Sequence, residues 1–466
     1  MSIDRAPNSR IKRMNYREAI AHLNSFINFE RLPEPRFNTQ IRDLDRFREL
    51  LDELGNPQSL YPIIHIAGTK GKGSTAAMIS SILRAAGYRT GLYTSPHLVT
   101  VRERIRVDGR IIPKAEFASL IDYIGKTSTS SYPSNHPTYR TVFEYLTAAA
   151  LLWFARKRVD FAVVEAGLGG KLDATVVVDP LLTVMTPIGL DHTTVLGGSV
   201  SAIAADKAHK IKSDVPAVAA RQSAEARSQL VRRAGEVGTE LTFAPGHTEF
   251  EPLSSGLHHQ SFFAPRRSLG NDAIHLNLAG RFQLDNTSTV LTSIGKLVEA
   301  GFPVAPRAVQ RGLSRVRLQG RMQLVRRKPS LVLDGSHNPM SIEALLESLS
   351  GLIGNRSLHV IFSAMRSKPA GRMLELLSSV AANFYIAPIS FPKGMTNGEL
   401  RSEAEHLHLP HVICTDIPSA FDRACLEARS NGLILATGSL YLAGEVIRHL
   451  RGLPPPYLDG RIDDRI

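Results

Sequence analysis

The chain has 466 residues, of which 43% are hydrophobic and 21% charged, and its formal net charge is +13. At roughly 100 to 200 residues per domain, this length predicts two or three globular domains, and the composition excludes a disordered chain. We find no uninterrupted apolar run of about 18 residues and no signal peptide at the start, so we expect a soluble cytoplasmic protein without membrane contact. Its two cysteines, Cys414 and Cys425, are too few for a disulfide framework or a cysteine-based zinc site.

The positive charge attracts polyanions, but its sign alone does not distinguish nucleic acid, acidic lipid and small anionic substrates. Only 6% of the residues are aromatic, and they do not alternate with basic residues in the pattern that stacks single-stranded bases. We therefore expect no nucleic-acid partner. Because no apolar stripe demands a partner subunit, we also expect a monomer.

Apolar runs of four to seven residues alternate with helix-period segments between residues 60 and 220, which predicts β-α-β units and a parallel sheet. The first predicted strand, Tyr61 to Ala67, enters a glycine loop that leads into a helix ending at Gly87. The other elements predicted in this half are strands at Arg89 to Tyr93, Val159 to Glu165 and Leu181 to Thr186, and a helix from about Thr141 to Phe154.

The second half begins with a segment of no clear period, residues 253–271, which we interpret as a loop or a short β excursion. A helical pattern follows at Asn286 to Ala300, and residues 301–321 have the composition of a linker or a short linker helix. A second αβ series is predicted with strands at Ser330 to Leu333, His359 to Phe362, Asn383 to Ala387, His411 to Cys414 and Leu433 to Ala436, and with helices at Ser341 to Leu349 and Ile417 to Ala428. Residues 453–466 read as a surface tail. The predicted division is a domain at 1–303, a linker at 304–318 and a smaller domain at 319–466.

The glycine loop between the first strand and its helix has the composition of a phosphate-binding loop. Small residues let backbone N–H groups approach phosphate oxygens, and a lysine neutralises the β- and γ-phosphates. Lys72 and Ser74 are the candidates, although Ile66 stands where the strict P-loop pattern has its first glycine and Gly73 separates the lysine from the serine. The alternative is a glycine-rich turn with solvated lysines.

Chemically capable residues recur at the ends of the predicted strands. They are the Thr94 to His97 segment, Glu165, the Asp191-His192 pair and, on the next helical stretch, Lys207. Because ligands of doubly wound sheets bind beyond the carboxyl ends of the strands, we expect these side chains to converge near the glycine loop. A carboxylate and a hydroxyl suit magnesium, which keeps waters and substrate phosphates in its shell. Taken singly, Glu165 could be a cap and each histidine a hydrogen-bonded loop residue.

The order and spacing of these motifs resemble the folylpolyglutamate synthase and dihydrofolate synthase family of the Mur ligase superfamily. The resemblance covers most of the chain and rests on HIAGTKGKGST at 65–75, AAGYRTGLYTSPHLVTVRERIRVDG at 85–109, TVFEYLTAAAL at 141–151, VVEAGLGGKLDAT at 163–175, TPIGLDHTTVLG at 186–197, GR at 320–321, LDGSHNP at 333–339 and TGSLYLAGEV at 437–446. It implies an α/β fold, with a P-loop-type Mur ligase central domain built on a parallel sheet and a smaller Rossmann-like C-terminal domain.

The resemblance also implies an ATP-dependent amide ligase. Such an enzyme activates a carboxylate of dihydropteroate or folate polyglutamate as an acyl phosphate, which the amino group of L-glutamate attacks, giving ADP and phosphate. ATP, L-glutamate and pteroate or folate are the implied small-molecule substrates, and magnesium, in two ions, is the implied cofactor.

The family's functional positions carry over onto this sequence as follows. The phosphate loop maps onto Gly71, Lys72, Gly73 and Ser74; further ATP contacts map onto Asn286, Arg321, Asp334 and His337; magnesium ligands map onto Ser95, Glu165 and His192; substrate-binding positions map onto Ser95, Pro96, His97, Phe143, Glu144, Leu172, Asp173 and Ala174; and a carbamylated lysine that supports the second magnesium maps onto Lys207. Lys72, His192 and Lys207 are the expected catalytic residues. Since ATP contacts come from both domains, we expect closure about a hinge near residues 301–320.

The sequence also departs from the family pattern. Lys70 replaces the usual asparagine of the phosphate loop, where its charge either aids phosphate binding or faces solvent. The other departures are Lys171 for arginine, Val176 for asparagine, Asp206 for glutamate, His209 for glycine, Phe282 for histidine, and Ser367-Lys368-Pro369 at the second-domain aspartate-lysine-aspartate pattern. None removes a metal ligand, but they make substrate preference less determined than reaction type.

Two alternatives stay open at this point. The first is a Mur-superfamily ligase for a different carboxylate, against which the TSPHL segment and the compact length argue. The second is a nucleotide-dependent switch without ligase chemistry. A ligase turns over ATP only with glutamate and an acyl acceptor, whereas a switch hydrolyses ATP alone or on a macromolecule.

Overall fold

The computed structural model describes residues 13–30, 44–127, 141–264, 272–457, 461–463 and 465. Its helices are α1 (Tyr16–Asn24), α2 (Leu44–Glu53), α3 (Lys72–Ala85), α4 (Lys114–Thr127), α5 (Val142–Arg156), α6 (Thr193–Leu196), α7 (Val200–Ala208), α8 (Ala224–Val237), α9 (Phe282–Glu299), α10 (Pro306–Arg315), α11 (Pro339–Ile353), α12 (Ala370–Ser378), α13 (Asn397–His406), α14 (Ile417–Ala428) and α15 (Leu440–Leu450). Short 3-10 turns lie at Pro57–Ser59, Val101–Arg104, Ala174–Val177 and His247–Glu249. None of the helices in these ranges has the length and apolarity that crossing a bilayer demands.

The strands divide among three sheets. They are β1 (Ile63–Ala67), β2 (Thr90–Tyr93), β3 (Ile105–Val107), β4 (Arg110–Ile111), β5 (Phe161–Glu165), β6 (Leu182–Met185), β7 (Ala217–Ala219), β8 (Leu241–Phe243), β9 (Glu251–Ser255), β10 (Gln260–Phe263), β11 (Ile274–Leu276), β12 (Gln323–Arg327), β13 (Ser330–Leu333), β14 (Leu358–Phe362), β15 (Asn383–Ile386), β16 (His411–Ile413) and β17 (Leu433–Thr437).

The first sheet, with eight strands among the described residues, has the order β4-β3-β2-β5-β1-β6-β7-β8. Strands β2, β5, β1, β6, β7 and β8 are parallel, and β3 and β4 extend one edge as antiparallel strands. Strand β1 therefore lies at the centre, between β5 and β6, and the loop that follows it lies at the middle of the edge where such sheets bind ligands. The predicted parallel sheet is confirmed.

Helices cover both faces of this sheet because its central strands are apolar on both sides. One face packs against α1, α2, α4 and α5, and the other against α3, α9 and α10. Helix α10 lies within the segment 301–321, so the interpretation of that segment as a short helix is confirmed for residues 306–315. It packs closely on α3, since a Cβ added to Gly312 would lie 2.5 Å from the Cα of Ile82, and the Ser81 hydroxyl donates to the Gly312 carbonyl at 2.7 Å.

The C-terminal sheet is smaller, with the order β12-β13-β17-β14-β15-β16. Its strands are parallel except for β12, which runs antiparallel to β13. Helices α11, α12 and α13 cover one face, and α14 and α15 cover the other. The predicted strands of both halves agree with the structure to within two residues at each end.

The segment that we interpret as a loop or a short β excursion holds two strands. Strands β9 and β10 pair antiparallel, and β11 adds to β10. The β reading is thus confirmed for residues 253–263, and residues 265–271 lie outside the described residues. The sequence gives no clear period here because β9 is exposed along its whole length.

The prediction of a surface tail after residue 452 is wrong for residues 461–463. Ile462 is buried in the core that holds α1 and α5, and its backbone N–H and carbonyl pair with the side-chain amide of Asn24 on α1 at 2.8 and 3.0 Å. Asp463 forms a buried ion pair with Arg448 of α15 at 2.5 Å. The segment therefore straps the last helix of the C-terminal unit to the first helix of the chain.

Replacing Ile462 by alanine tests this strap. We expect Ile462→Ala to lower the free energy of unfolding by about 2 kcal/mol, because it leaves a cavity in the core beside α1, and to speed hydrogen exchange of the α1 amides. Leu426→Ala is the matched control, since Leu426 is 71% exposed on α14 and its loss should change stability by less than about 0.5 kcal/mol. Equal, small effects of the two substitutions would contradict a docked strap.

Candidate active site

The loop after β1 brings the first candidate ATP contacts together. Gly71 has φ +81°, a left-handed conformation that favours glycine, at the N-terminus of α3. A Cβ added there would lie 2.3 Å from the Oδ1 atom of Asn286 on α9. Two predicted ATP-binding residues, 215 positions apart in the printed sequence, therefore lie against each other. The Ser74 hydroxyl at the first turn of α3 accepts a hydrogen bond at 3.3 Å from Gln283, which in turn accepts one from Asn286.

Glu165, the last residue of β5, is buried beside the same loop. Its Oε2 accepts a hydrogen bond from the backbone N–H of Ser95 at 3.1 Å, and a Cβ added to Gly73 would lie 3.6 Å from it. Burial raises the pKa of Glu165, whereas the charges of Lys72 and Arg321 lower it. The predicted convergence of Glu165, Ser95 and the phosphate loop is thus present, because β2, β5 and β1 are neighbours in the sheet.

Lys207 lies in the last turn of α7 and is 5% exposed. Burial and the nearby charge of Lys72 lower its pKa to about 7. Among the residues that the structure describes, its ammonium group has no hydrogen-bond or ion-pair partner. An unpaired lysine in such a place holds much of its amine in the neutral form at neutral pH, and the neutral amine is the form that reacts with carbon dioxide.

Two residues of the C-terminal unit that the resemblance assigns to ATP lie beside β12 and β13: Arg321 just before β12, and Asp334 directly after β13. Asp334 is almost fully buried and its carboxylate accepts hydrogen bonds from the backbone N–H groups of Met322 and Ser336 and from the Ser336 hydroxyl. It therefore fixes the turn that carries Arg321. A Cβ added to Gly335 would lie 2.4 Å from the Nη1 atom of Arg321, so glycine leaves the room in which that guanidinium lies.

Asp191 joins the two units at this edge. Its carboxylate receives the Lys70 ammonium at 3.0 Å, the Lys368 ammonium at 2.5 Å and lies 3.3 Å from the Nε2 atom of His337. His192 has a left-handed backbone conformation, and its side chain is about half exposed. Its Nε2 atom lies 3.9 Å from Oδ1 of Asp191. Among the described residues, no hydrogen bond or ion pair joins His192 to Glu165. Lys70 faces this cluster and not solvent.

The side chains predicted to bind the pteroate group divide into two sets. Phe143 lies against Gly167, whose added Cβ would be 2.6 Å from the phenyl ring, so that the loop after β5 fits beneath it. Glu144 is different, because its carboxylate accepts the N–H of Thr141 at 2.6 Å and completes the N-terminal cap of α5. Leu172 is half-buried and Ala174 is buried at the 3-10 turn that follows.

Asp173 lies in a buried ion pair instead of an open cavity. It receives the ammonium of Lys210 at 2.8 Å and the backbone N–H of Thr175 at 2.9 Å, and both charged side chains are at most 1% exposed. The Nε2 atom of His65 lies 2.8 Å from the Thr175 hydroxyl. Separating the two side chains would leave an uncompensated buried charge. The pair therefore holds the loop of residues 172–174 in place.

His97 follows a cis Ser95-Pro96 peptide bond and faces a different neighbourhood. Its Nδ1 atom accepts a hydrogen bond from the Nε atom of Arg104 at 2.9 Å, and the same guanidinium pairs with Glu30 at 2.7 Å. Burial and the Arg104 charge lower the pKa of His97 to about 3. A cavity between the two units lies here, closed on the C-terminal side by Phe391, Tyr441 and the strap residues Arg461 and Ile462.

Ser95 and Glu165 could bind magnesium only if nucleotide phosphates supplied most of its other ligands. The described residues contain no group of three or more His, Cys, Asp or Glu side chains that could hold a metal by themselves. The loop nevertheless places one carboxylate, Glu165, beside Ser95 and the phosphate loop. One carboxylate with a hydroxyl, waters and phosphates is an ordinary shell for magnesium.

Sequence reasoning missed two features of the site. Asp191 is singled out with His192 at the end of a strand, but nothing in the pattern shows that it pairs with the second unit. Asp206, noted as a departure, accepts the backbone N–H groups of Gly170 at 2.6 Å and Lys171 at 3.3 Å and so anchors the loop after β5. Its position one residue before Lys207 is the signal that could have indicated this.

The comparisons with known proteins agree with this geometry. Residues 66–294 match the Mur ligase middle domain, and residues 320–440 match the Mur ligase glutamate ligase domain. A dihydrofolate synthase/folylpolyglutamate synthase of Bacillus subtilis is 34% identical over 88% of this chain and 95% of its own length. The protein of the same name from Escherichia coli is 32% identical over 87% and 90%.

Solved structures are similar over nearly the whole chain. The folylpolyglutamate synthase of Mycobacterium tuberculosis complexed with ADP superposes with a TM-score of 0.81 at 29% identity, covering 95% of this chain and 99% of that one. The E. coli FolC structure in complex with DHPP and ADP has a TM-score of 0.79 at 28% identity and covers 94% and 98%. The similarity therefore extends over both units.

Proposed function

The chain belongs to the dihydrofolate synthase/folylpolyglutamate synthase family and is an ATP-dependent, ADP-forming ligase, and we propose that it joins L-glutamate both to dihydropteroate and to folate or its polyglutamates. The observation that carries the proposal is the meeting of the phosphate loop, Glu165 and Asn286 with Arg321 and His337 of the second unit at one sheet edge. A bare nucleotide switch has no need of a second unit that brings a cation and an imidazole to the phosphates.

The chemistry follows from what the side chains carry. ATP lies with its phosphates on the N-terminus of α3, where backbone N–H groups and Lys72 face the β- and γ-phosphates. A substrate carboxylate attacks the γ-phosphorus and forms an acyl phosphate with release of ADP. The amino group of L-glutamate then attacks the acyl carbon, and phosphate leaves. Lys72 and Arg321 offset the charge that moves during phosphoryl transfer, which is catalysed mainly by positioning and electrostatics.

We propose magnesium as the cofactor, in two ions, with Ser95, Glu165 and His192 as its protein ligands and a carbamate on Lys207 in support of the second ion. Bound magnesium would neutralise phosphate charge. Carbamylation converts the lone Lys207 ammonium, which repels a cation, into a carboxylate that attracts one. The lowered pKa and missing partner of Lys207 support this modification.

The pteroate site, the cellular location, the oligomeric state and the partners are also proposals. We assign the pteroate group to the neighbourhood of Phe143, with the loop of residues 172–174 fixed by the Asp173–Lys210 pair. Direct contact falls to Phe143 and Leu172, whereas Glu144 and Asp173 hold the backbone that presents them. We propose a cytoplasmic monomer that acts on small molecules, with no nucleic-acid or membrane partner.

Phosphate release from ATP tests the function. The purified chain is given ATP, magnesium and L-glutamate with dihydropteroate, with tetrahydrofolate or with neither, and Glu165→Gln prepared in the same way controls for contaminating phosphatases. We expect release with either acceptor and only background without one. If only one acceptor stimulates phosphate release, the chain has a single activity. If neither acceptor stimulates release, the chain is a ligase for a different carboxylate.

A further inference from the structure

An ion cluster surrounds Asp191, a carboxylate to which the proposed function gives no role. It contains two ammonium groups, Lys70 from the phosphate loop and Lys368 from the second unit, and one imidazole, His337, around a carboxylate that is 9% exposed. Groups of like charge gather in this way only around a compensating charge. Asp191 therefore has two partners from the C-terminal unit and one from the loop that receives ATP.

The hydrogen-bond geometry of His337 determines which group links it to Asp191. Its Nδ1 atom lies 3.1 Å from the carbonyl oxygen of Gly335, which can only accept, so Nδ1 carries a proton. Burial lowers the pKa of His337 to about 4, so the ring is neutral and its Nε2 atom has a lone pair instead of a proton.

Nε2 of His337 lies 3.3 Å from Oδ2 of Asp191. Because the neutral ring has its proton on Nδ1, Nε2 cannot donate to this carboxylate. Lys70 resolves the contact, because its ammonium lies 3.2 Å from Nε2 of His337 and 3.0 Å from Oδ2 of Asp191 and can donate to both. An asparagine at position 70 would have a shorter, uncharged side chain. An asparagine amide also has two N–H donors, but its nitrogen lies two bonds closer to the backbone and carries no charge to pair with Asp191.

We propose that Lys70 is a positioning residue of the ligase, which holds the neutral His337 ring of the C-terminal unit in place by bridging it to Asp191. This proposal rests on the proposed ligase function, and it gives Lys70 a role distinct from that of Lys72. Lys72 neutralises phosphate, whereas Lys70 ties the phosphate loop to the residue that the C-terminal unit brings to it. Lys368 makes the direct ion pair between the two units on the other carboxylate oxygen.

A double-mutant cycle separates this role from simple phosphate binding. We expect Lys70→Met to lower kcat by about tenfold or more, the usual effect of losing a hydrogen bond to a charged group, and to change the KM for ATP much less. In a His337→Ala background the same substitution should have little further effect, because the group it positions is absent. Lys114→Met, which removes an exposed lysine at the start of α4, is the matched control.

A second readout does not depend on turnover. Nitrogen-15 spectra of histidine-labelled protein, with His337→Gln to assign the signal, should show the Nδ1-protonated ring of His337 in the wild type and a changed Nε2 shift in Lys70→Met. The proposal would be overturned if the reductions in kcat caused by Lys70→Met and His337→Ala multiplied in the double variant. A rise in the KM for ATP alone, or an unchanged Nε2 shift, would also overturn it. A failure of the ligase function itself would show in the wild-type turnover and leave the spectroscopic result standing.

Discussion

Lys72→Ala is expected to reduce ATP-dependent ligation by about a thousandfold or more, the scale on which single charged groups act in phosphoryl transfer. The lysine opens α3 directly after Gly71, and its charge is felt by both Glu165 and Lys207. No other cation of the phosphate loop is free to replace it, since Lys70 is engaged by Asp191. Phosphate release with both acceptors measures the effect.

Lys114→Ala is the control for this substitution, because Lys114 is an exposed lysine that also begins a helix, α4. It should leave turnover unchanged. Near-normal activity of Lys72→Ala would contradict the assignment of residues 71–74 as the phosphate loop. A loss confined to the KM for ATP would mean that the lysine binds ATP without assisting transfer.

Lys207→Ala is expected to lower turnover by about a hundredfold, the upper range for groups that support a metal through its surroundings. The reason is the loss of the proposed carbamate, which would turn a buried lysine that repels magnesium into a carboxylate that attracts it. Added acetate or formate should restore part of the activity, because a small carboxylate can enter the space left by the side chain. Turnover across a series of carboxylate concentrations measures the rescue.

Lys72→Ala also serves as the control for the rescue, since it should not respond to short carboxylates. Carbon-13 spectra of wild-type protein in labelled bicarbonate should show a carbamate signal that Lys207→Ala lacks. An inactive Lys207→Ala that no carboxylate restores, together with no carbamate signal, would contradict the modification.

Local patterns predicted much of the fold because apolar runs and glycine loops act over a few residues. The strands leading to Ala67 and Glu165 are apolar on both faces, the signature of central parallel strands, and their carboxyl ends had to share an edge. The convergence of Ser95, Glu165 and the phosphate loop followed from that alone. The edge where the two units meet was indicated only by the resemblance.

Contacts between distant segments could not be predicted from such patterns. Glu144 and Asp173 are charged residues in functional motifs, yet one completes a helix cap and the other pairs with Lys210, a partner that no spacing reveals. The polar and proline-rich composition of the last residues predicted solvent exposure, whereas one isoleucine among them, Ile462, is buried in the core. Asp191 likewise has its partners 121, 146 and 177 positions away.

The strap has a consequence for the order of synthesis. The contact between Asn24 and Ile462 spans 438 positions, so the side-chain amide at the end of the first helix meets its partners only when almost the whole chain has left the ribosome. Closing so long a loop is entropically unfavourable while the ends are free, and the intervening units must fold first to bring them together. A chain truncated after residue 460 should therefore keep a native C-terminal sheet, whereas the amides at the end of α1 should exchange faster than in the full chain.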